Sequence, residues 1–143
     1  MSRKFAQHDA EATRHELLIG AKLKHHFNWD CTPTKEFAHY DLEARKGDKL
    51  VAIVEVKHRK IRWQDFSTIH VSEKKLYRCL DIAEELRTGF VFAVSCETGM
   101  YAASMVRFSV DRMKRKEGGR TDRGLKHDLE TLVDIPTDLF FQL

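Results

Sequence analysis

Residues 50–58 read Leu-Val-Ala-Ile-Val-Glu-Val-Lys-His, with Lys46-Gly47-Asp48-Lys49 directly before them and Asp41 further upstream. Leu50 to Val54 is apolar at every position and rich in Val and Ile, as expected for a central strand covered on both faces. Glu55 and Lys57 end that strand. Two positions apart, they share one face, and Val54 and Val56 occupy the other. An ion left alone in an apolar interior costs many kcal/mol, so charge at this point calls for a partner or a metal. Asp41, on a preceding strand, can supply a second carboxylate. Register decides whether it does. A two-residue Gly47-Asp48 turn pairs Lys46 with Lys49 and sets Asp41 opposite Val54, which separates the carboxylates. Chemistry that needs both predicts an odd loop length or a bulge, for example one that sets Asp41 opposite Glu55.

Working outward, Ala12, Leu17, Leu18, Ala21 and Leu23 recur at roughly helical spacing and predict a helix over 9–27 capped by Asp9. Trp29 to Thr32 predicts the start of an edge strand, and Phe37 to Arg45 the first arm of the hairpin. The stretch 59–71 is polar with interleaved Trp63 and Phe66 and reads as an ordered loop. Ser72 is a suitable N-cap for a helix whose face is Leu76, Leu80, Ile82, Ala83 and Leu86, stopped by Gly89. Phe90 to Cys96 and Met100 to Val110 read as strands around a Glu97-Thr98-Gly99 turn. The segment around Gly118-Gly119 reads as a flexible loop, and 129–143 as a short strand or two broken at Pro136.

A chain of 143 residues has room for one domain. With 42% apolar and 33% charged residues it is neither disordered nor low in complexity, and apolar runs of five residues are far short of the roughly 20 that span a bilayer. Charges follow the first few residues with no apolar stretch behind them, and the three cysteines, Cys31, Cys79 and Cys96, form no Cys-x-x-Cys pair. The expectation is a reducing, cytoplasmic compartment with neither a disulfide framework nor a zinc knuckle. Net charge is only +3, but between Arg112 and Lys126 seven Lys/Arg stand against Glu117 and Asp122. A second basic cluster, Lys57, Arg59, Lys60 and Arg62, adjoins the charged strand end. Two basic patches on a near-neutral body point to a polyanion met at defined places. Two carboxylates beside a lysine suit Mg²⁺, which prefers carboxylate, water and phosphate oxygens.

Asp41, thirteen intervening residues and then Glu55-Val56-Lys57, after a carboxylate-bearing helix and before a helix and strand, resembles the PD-(D/E)xK nuclease superfamily. That superfamily includes restriction endonucleases, archaeal-type Holliday-junction resolvases and many phage nucleases. The resemblance covers about residues 9–96 and implies an α/β fold of restriction-endonuclease type: an αβββαβ core, a mixed central sheet flanked by helices, and a β-rich C-terminal extension from about 97 to 143. Asp41, Glu55 and Lys57 would be catalytic. Asp41, Glu55 and the backbone carbonyl of Val56 would hold Mg²⁺ or Mn²⁺, with Glu16 as the helix carboxylate and Glu11 competing for that place. Lys57 would orient or help deprotonate the attacking water. Arg59, Lys60, Lys74, Lys75, Lys114, Arg115, Lys116 and Arg120 would contact DNA. Tyr40 stands where the superfamily's name calls for proline. The implied function is a Mg²⁺-dependent DNA endonuclease, junction-resolving or phage-type, working as a homodimer. A non-catalytic DNA-binding protein on the same fold and a metal-dependent ribonuclease are the alternatives.

Overall fold

The structure, a computed structural model, describes residues 3–35, 38–119 and 129–143. In chain order it runs α1 (Arg3–Phe27), β1 (Asp30–Pro33), β2 (Leu42–Lys46), β3 (Lys49–His58), β4 (Thr68–Ser72), α2 (Glu73–Glu85), β5 (Gly89–Cys96), β6 (Gly99–Ser104), α3 (Arg107–Asp111), β7 (Lys114–Gly119), β8 (Leu129–Pro136) and β9 (Phe141–Gln142). Six strands form a central sheet in the order β1-β2-β3-β5-β6-β9, and β4-β8-β7 form a second, smaller sheet. The central sheet is mixed: β3 and β5 are parallel, joined by a crossover through α2, and the other pairs are antiparallel. This is the α/β architecture that the resemblance implies, with helices on both faces of the sheet.

Residue alternation on β3 divides the core. Ile53 packs with Leu76, Leu80, Phe90, Phe92 and the second sheet's Val133 and Ile135 on the α2 side. Ala52 and Val54 pack with Ile19 and Leu23 of α1 on the other side. A strand covered twice has no solvent face, which is why its sequence is continuously apolar.

Several elements differ from the sequence reading. Helix α1 begins at Arg3, so Asp9 lies inside it and is not its cap. Its buried stripe is also rotated: Ile19 and Leu23 are fully buried, whereas Leu17 and Leu18 are exposed. The stripe continues toward the N-terminus through Glu16, His15 and Ala12, at spacings of three and four, so one helix face carries both core and polar functional groups. Strand β2 begins only at Leu42, and Phe37 lies outside the described residues. The polar stretch 59–71 contains β4, where Ile69 and Val71 alternate inward. Trp63 belongs to the core, stacked on Tyr101 with ring centroids 4.1 Å apart. Ser72 does cap α2, its hydroxyl accepting from the Lys75 N–H, but the helix ends at Glu85 and Arg87 takes the left-handed turn (φ 54°) in place of a glycine. Strand β6 stops at Ser104 and gives way to α3.

Nor is the C-terminal third appended to a finished core. Strands β6 and β9 complete the central sheet, and β8 pairs with β4. The first part of the presumed basic loop is strand β7, which pairs with β8 from Lys114↔Asp134 to Gly119↔Leu129. Residues 120–128, including Arg120, lie outside the described residues.

Candidate active site

The hairpin joining β2 and β3 contains the irregularity that the two-carboxylate chemistry demands. Pairing starts at Lys46↔Lys49 and Arg45↔Leu50 around a two-residue turn, with Gly47 at φ 62°, and then steps to Ala44↔Ala52, leaving Val51 unpaired. The step makes Leu42, not Asp41, the partner of Val54. Asp41, one residue beyond the last pair, is thereby carried toward Glu55. Its backbone is held on three sides: its N–H donates to the Val54 carbonyl (2.9 Å), and its own carbonyl accepts from the Thr34 N–H (3.0 Å) and hydroxyl (3.2 Å). Its carboxylate Oδ2 accepts the Val56 N–H at 2.8 Å. A side chain thus takes the ladder bond that β2 is too short to make, which aims Asp41 along the end of β3. Tyr40, in the place of the superfamily's proline, donates its hydroxyl to Glu43 (3.0 Å).

Glu55, Lys57 and Lys75 lie on the α2 side of the sheet, Glu16 comes from α1 on the other, and Asp41 bridges the two where β2 ends. Together they line a cleft of about 310 Å³ at the C-terminal end of β3. Glu55 is only 2% exposed. Its Oε2 lies 3.2 Å from Lys75 Nζ, yet the oxygen is buried with no hydrogen bond among the described residues. Burial first, and then Asp41, push the Glu55 carboxyl up to about 8, against the pull of Lys75 and Lys57. The same causes, burial and then Asp41, bring Glu16 up to about 7. Lys57 is moved the other way: burial and the neighbouring Lys75 lower its pKa, more than Glu55 restores it. Three carboxyl groups crowded at one point repel one another when ionised, and a divalent cation is the species that removes this cost. A buried carboxylate oxygen without a hydrogen bond, among other hard donors, fits Mg²⁺ or Mn²⁺.

Comparisons with known proteins bear on the family and the fold. The model of a phage PDDEXK endonuclease family matches residues 8–143, nearly the whole chain. The chain belongs to that family. Its match extends through the C-terminal third, which the sequence reading had left outside the shared core. Among solved structures, the fold is similar to that of Hjc, a Holliday junction resolvase from the archaeal hyperthermophile Archaeoglobus fulgidus, with a TM-score of 0.62 at 15% identity over 93% of this chain and 92% of that one. No curated protein matches the chain.

The basic residues of this phage-family endonuclease fall into separate groups. Lys75 and Arg59 line the cleft. Lys60 is exposed just past β3, and Lys74 is exposed on the first turn of α2, outside the cleft. Lys114 and Lys116 are exposed on β7, Lys116 Nζ standing 2.8 Å from His70 Nε2. Arg115 differs. Its guanidinium donates to the Val110 and Met113 carbonyls, to the Tyr77 hydroxyl and to Glu73, tying β7 to α2 and α3. Its donors are engaged inside the protein, so the expected phosphate contact gives way to a structural role. Arg115→Ala should cost about 2 kcal/mol or more, because it orphans several acceptors at once; a Tm within a degree of wild type would contradict this.

His15 and His58 escaped the sequence reading. His15 belongs to the rotated stripe of α1, and His58 follows Lys57 on β3; both line the cleft with Glu11. Their rings stack at 3.8 Å with 18° between planes. Burial, and then His58, lower the pKa of His15. The signal that could have found them is the Glu11, His15 spacing of one helical turn, once the inward face of α1 is placed correctly.

Proposed function

We propose that the chain is a Mg²⁺-dependent endonuclease that hydrolyses phosphodiester bonds of DNA, with branched junctions as its substrate and a homodimer as its working form. The observation that carries this reading is the buried Glu55 carboxyl beside Asp41, whose Oε2 has no hydrogen bond among the described residues and only the Lys75 ammonium, at 3.2 Å, as a charge partner. The likeness to a junction resolvase supports the choice of substrate class.

Asp41, Glu55 and the Val56 carbonyl would hold the ion, with Glu16 completing the set from α1. Bound there, Mg²⁺ would polarise the scissile phosphate, lower the pKa of a water and stabilise the leaving oxygen. The protein's part is placement. Val56 N–H fixes the Asp41 carboxylate, so that one ligand is oriented before any ion arrives. Lys57, half-buried on the same face as Glu55, is placed to orient the attacking water and to take its proton, a task that its lowered pKa favours. Lys75 and Arg59 are placed to neutralise phosphate oxygens at the cleft.

The test is incubation of the protein with linear, single-stranded, supercoiled and four-way-junction DNA and with RNA, each with Mg²⁺ and with a chelator. Junction cleavage that needs the ion is expected. DNA binding with no cleavage of any substrate would favour the non-catalytic reading, and cleavage of RNA alone the ribonuclease.

Raised carboxyl pKa values give this site a pH signature. Between the usual value near 4.5 and about 8 the folded, metal-free protein binds more protons at Glu55 than the unfolded chain does. Stability of the metal-free protein should therefore fall as pH rises through that window, with Glu16 adding to the effect up to about 7. Ion binding displaces those protons, so Mg²⁺ affinity should rise over the same range. Thermal melts at pH 6 and pH 8.5, with and without Mg²⁺, check both: the Mg²⁺-induced rise in Tm should be larger at pH 8.5, and equal rises would contradict the site.

The strand β7 lysines supply a further expectation. Each phosphate neutralised contributes about 0.9 to the slope of log affinity against log salt. The double change Lys114→Ala and Lys116→Ala should therefore flatten the slope by up to about two and weaken binding alike for all sequences. An unchanged slope would make these lysines a solvated face.

A further inference from the structure

The cleft holds a second donor set that the carboxylate chemistry does not use. Glu11, His15 and His58 each turn one ligand atom toward a common point, with all three atoms within 4.8 Å of one another. Glu11 Oε1 lies 4.0 Å from His15 Nε2 and 3.9 Å from His58 Nδ1. The remaining nitrogen of His15, Nδ1, is 2.9 Å from the hydroxyl of Ser95, a residue only 4% exposed at the end of β5. A proton on Nδ1, donated to that oxygen, leaves the Nε2 lone pair facing Glu11 and fixes the ring. This is the outer-sphere bond that metal-ligating histidines characteristically make.

We propose that Glu11, His15 and His58 form a second metal site, selective for a Zn²⁺-class transition ion over Mg²⁺. Two imidazoles and one carboxylate suit Zn²⁺, Co²⁺ and their neighbours, whereas Mg²⁺ prefers oxygen donors. Three protein ligands leave a coordination position open to the cleft, the arrangement of reactive rather than structural zinc sites. Bonds of about 2.0–2.1 Å to tetrahedral Zn²⁺ place donors about 3.4 Å apart, so Glu11 must approach each histidine by roughly half an ångström, and the two rings, stacked at 3.8 Å with 18° between planes, must turn out of the stack to aim both lone pairs at the ion. Glu11, more than half exposed on α1, is free to make its part of that movement. The set spans α1 and the end of β3, so an ion there would clip the helix to the sheet beside the cleft. It shares no ligand with Asp41, Glu55 or Glu16, and stands or falls apart from them.

The probe is Co²⁺ added to the full chain in excess Mg²⁺, followed by its visible d–d absorption and by calorimetric titration. Wild type should bind one Co²⁺, displaceable by Zn²⁺, with bands of a nitrogen- and oxygen-ligated ion. His15→Ala and His58→Ala should each weaken binding at least tenfold, and Ser95→Ala, which leaves every ligand in place, by about 10- to 100-fold. Glu55→Gln should leave it unchanged. Circular dichroism separates a lost site from a lost fold, and the small Ser95→Ala change keeps the test open if a histidine variant does not fold. Binding equal to wild type in His58→Ala and Ser95→Ala, no binding in wild type, or a thiolate charge-transfer band showing Co²⁺ on cysteine would each overturn the assignment.

Discussion

Glu55→Gln is expected to lower Mg²⁺-dependent cleavage of DNA at least about 10³-fold while raising the Tm of the metal-free protein at pH 8 by several degrees. The two effects share one cause. Glu55 is buried, its Oε2 has no hydrogen bond among the described residues, and burial with the adjacent Asp41 raises its pKa to about 8. Without metal, ionising it costs stability; glutamine removes the charge and keeps the shape. With metal, the same charge would be the ligand, and losing several kcal/mol of transition-state stabilisation corresponds to three or more powers of ten in rate. A residue that merely packs would lose stability on substitution and leave the rate alone. Asp41→Asn should act on rate in the same direction, with less gain in stability, because the Asp41 carboxylate already accepts the Val56 N–H. Cleavage by Glu55→Gln at the wild-type rate would show that the site lies elsewhere.

Lys57→Ala should slow cleavage by about 10²- to 10⁴-fold, the usual contribution of a positioned proton acceptor, while DNA affinity survives. Lysine at this place is half-buried, and its pKa is lowered by desolvation and by Lys75. Arginine remains charged at any working pH, so Lys57→Arg should restore little of the rate if the residue takes a proton. It would restore most of the rate if the residue acted only as a fixed positive charge. Single-turnover rates across pH 6–9 give the answer: the wild-type rate should rise with pH and level off, and the arginine variant should stay low throughout.

How much of this was legible in the sequence depends on which force wrote each part. Strand β3 was legible because a doubly covered strand must be apolar at every position, and the charges at its end then stand out. The bulge in the hairpin could be required but not located: nothing in Leu50-Val51-Ala52 marks Val51 as the residue left unpaired. Helix α1 was found but turned wrongly, since Leu17 and Leu18 are more apolar than the glutamate and histidine that face inward at 16 and 15. Polar groups that line the cleft continue the buried stripe there, so hydrophobic periodicity points to the wrong face. That error hid His15, and with it the pairing to His58. In the basic segment, charge density gave no hint that Arg115 is a structural tie or that β7 is a strand, because its partner β8 follows the intervening residues 120–128. Family membership covers the C-terminal third that the motif alone could not reach.

Whether Asp41 and Glu55 hold a divalent cation can be read directly from anomalous diffraction by crystals of the protein grown with Mn²⁺. An anomalous peak is expected within bonding distance, about 2.0–2.3 Å, of Asp41 and Glu55 oxygens and of the Val56 carbonyl, whether or not a second peak marks His15 and His58. Density confined to the histidines or to the outer surface, with Glu55 still buried and without a ligand, would contradict it.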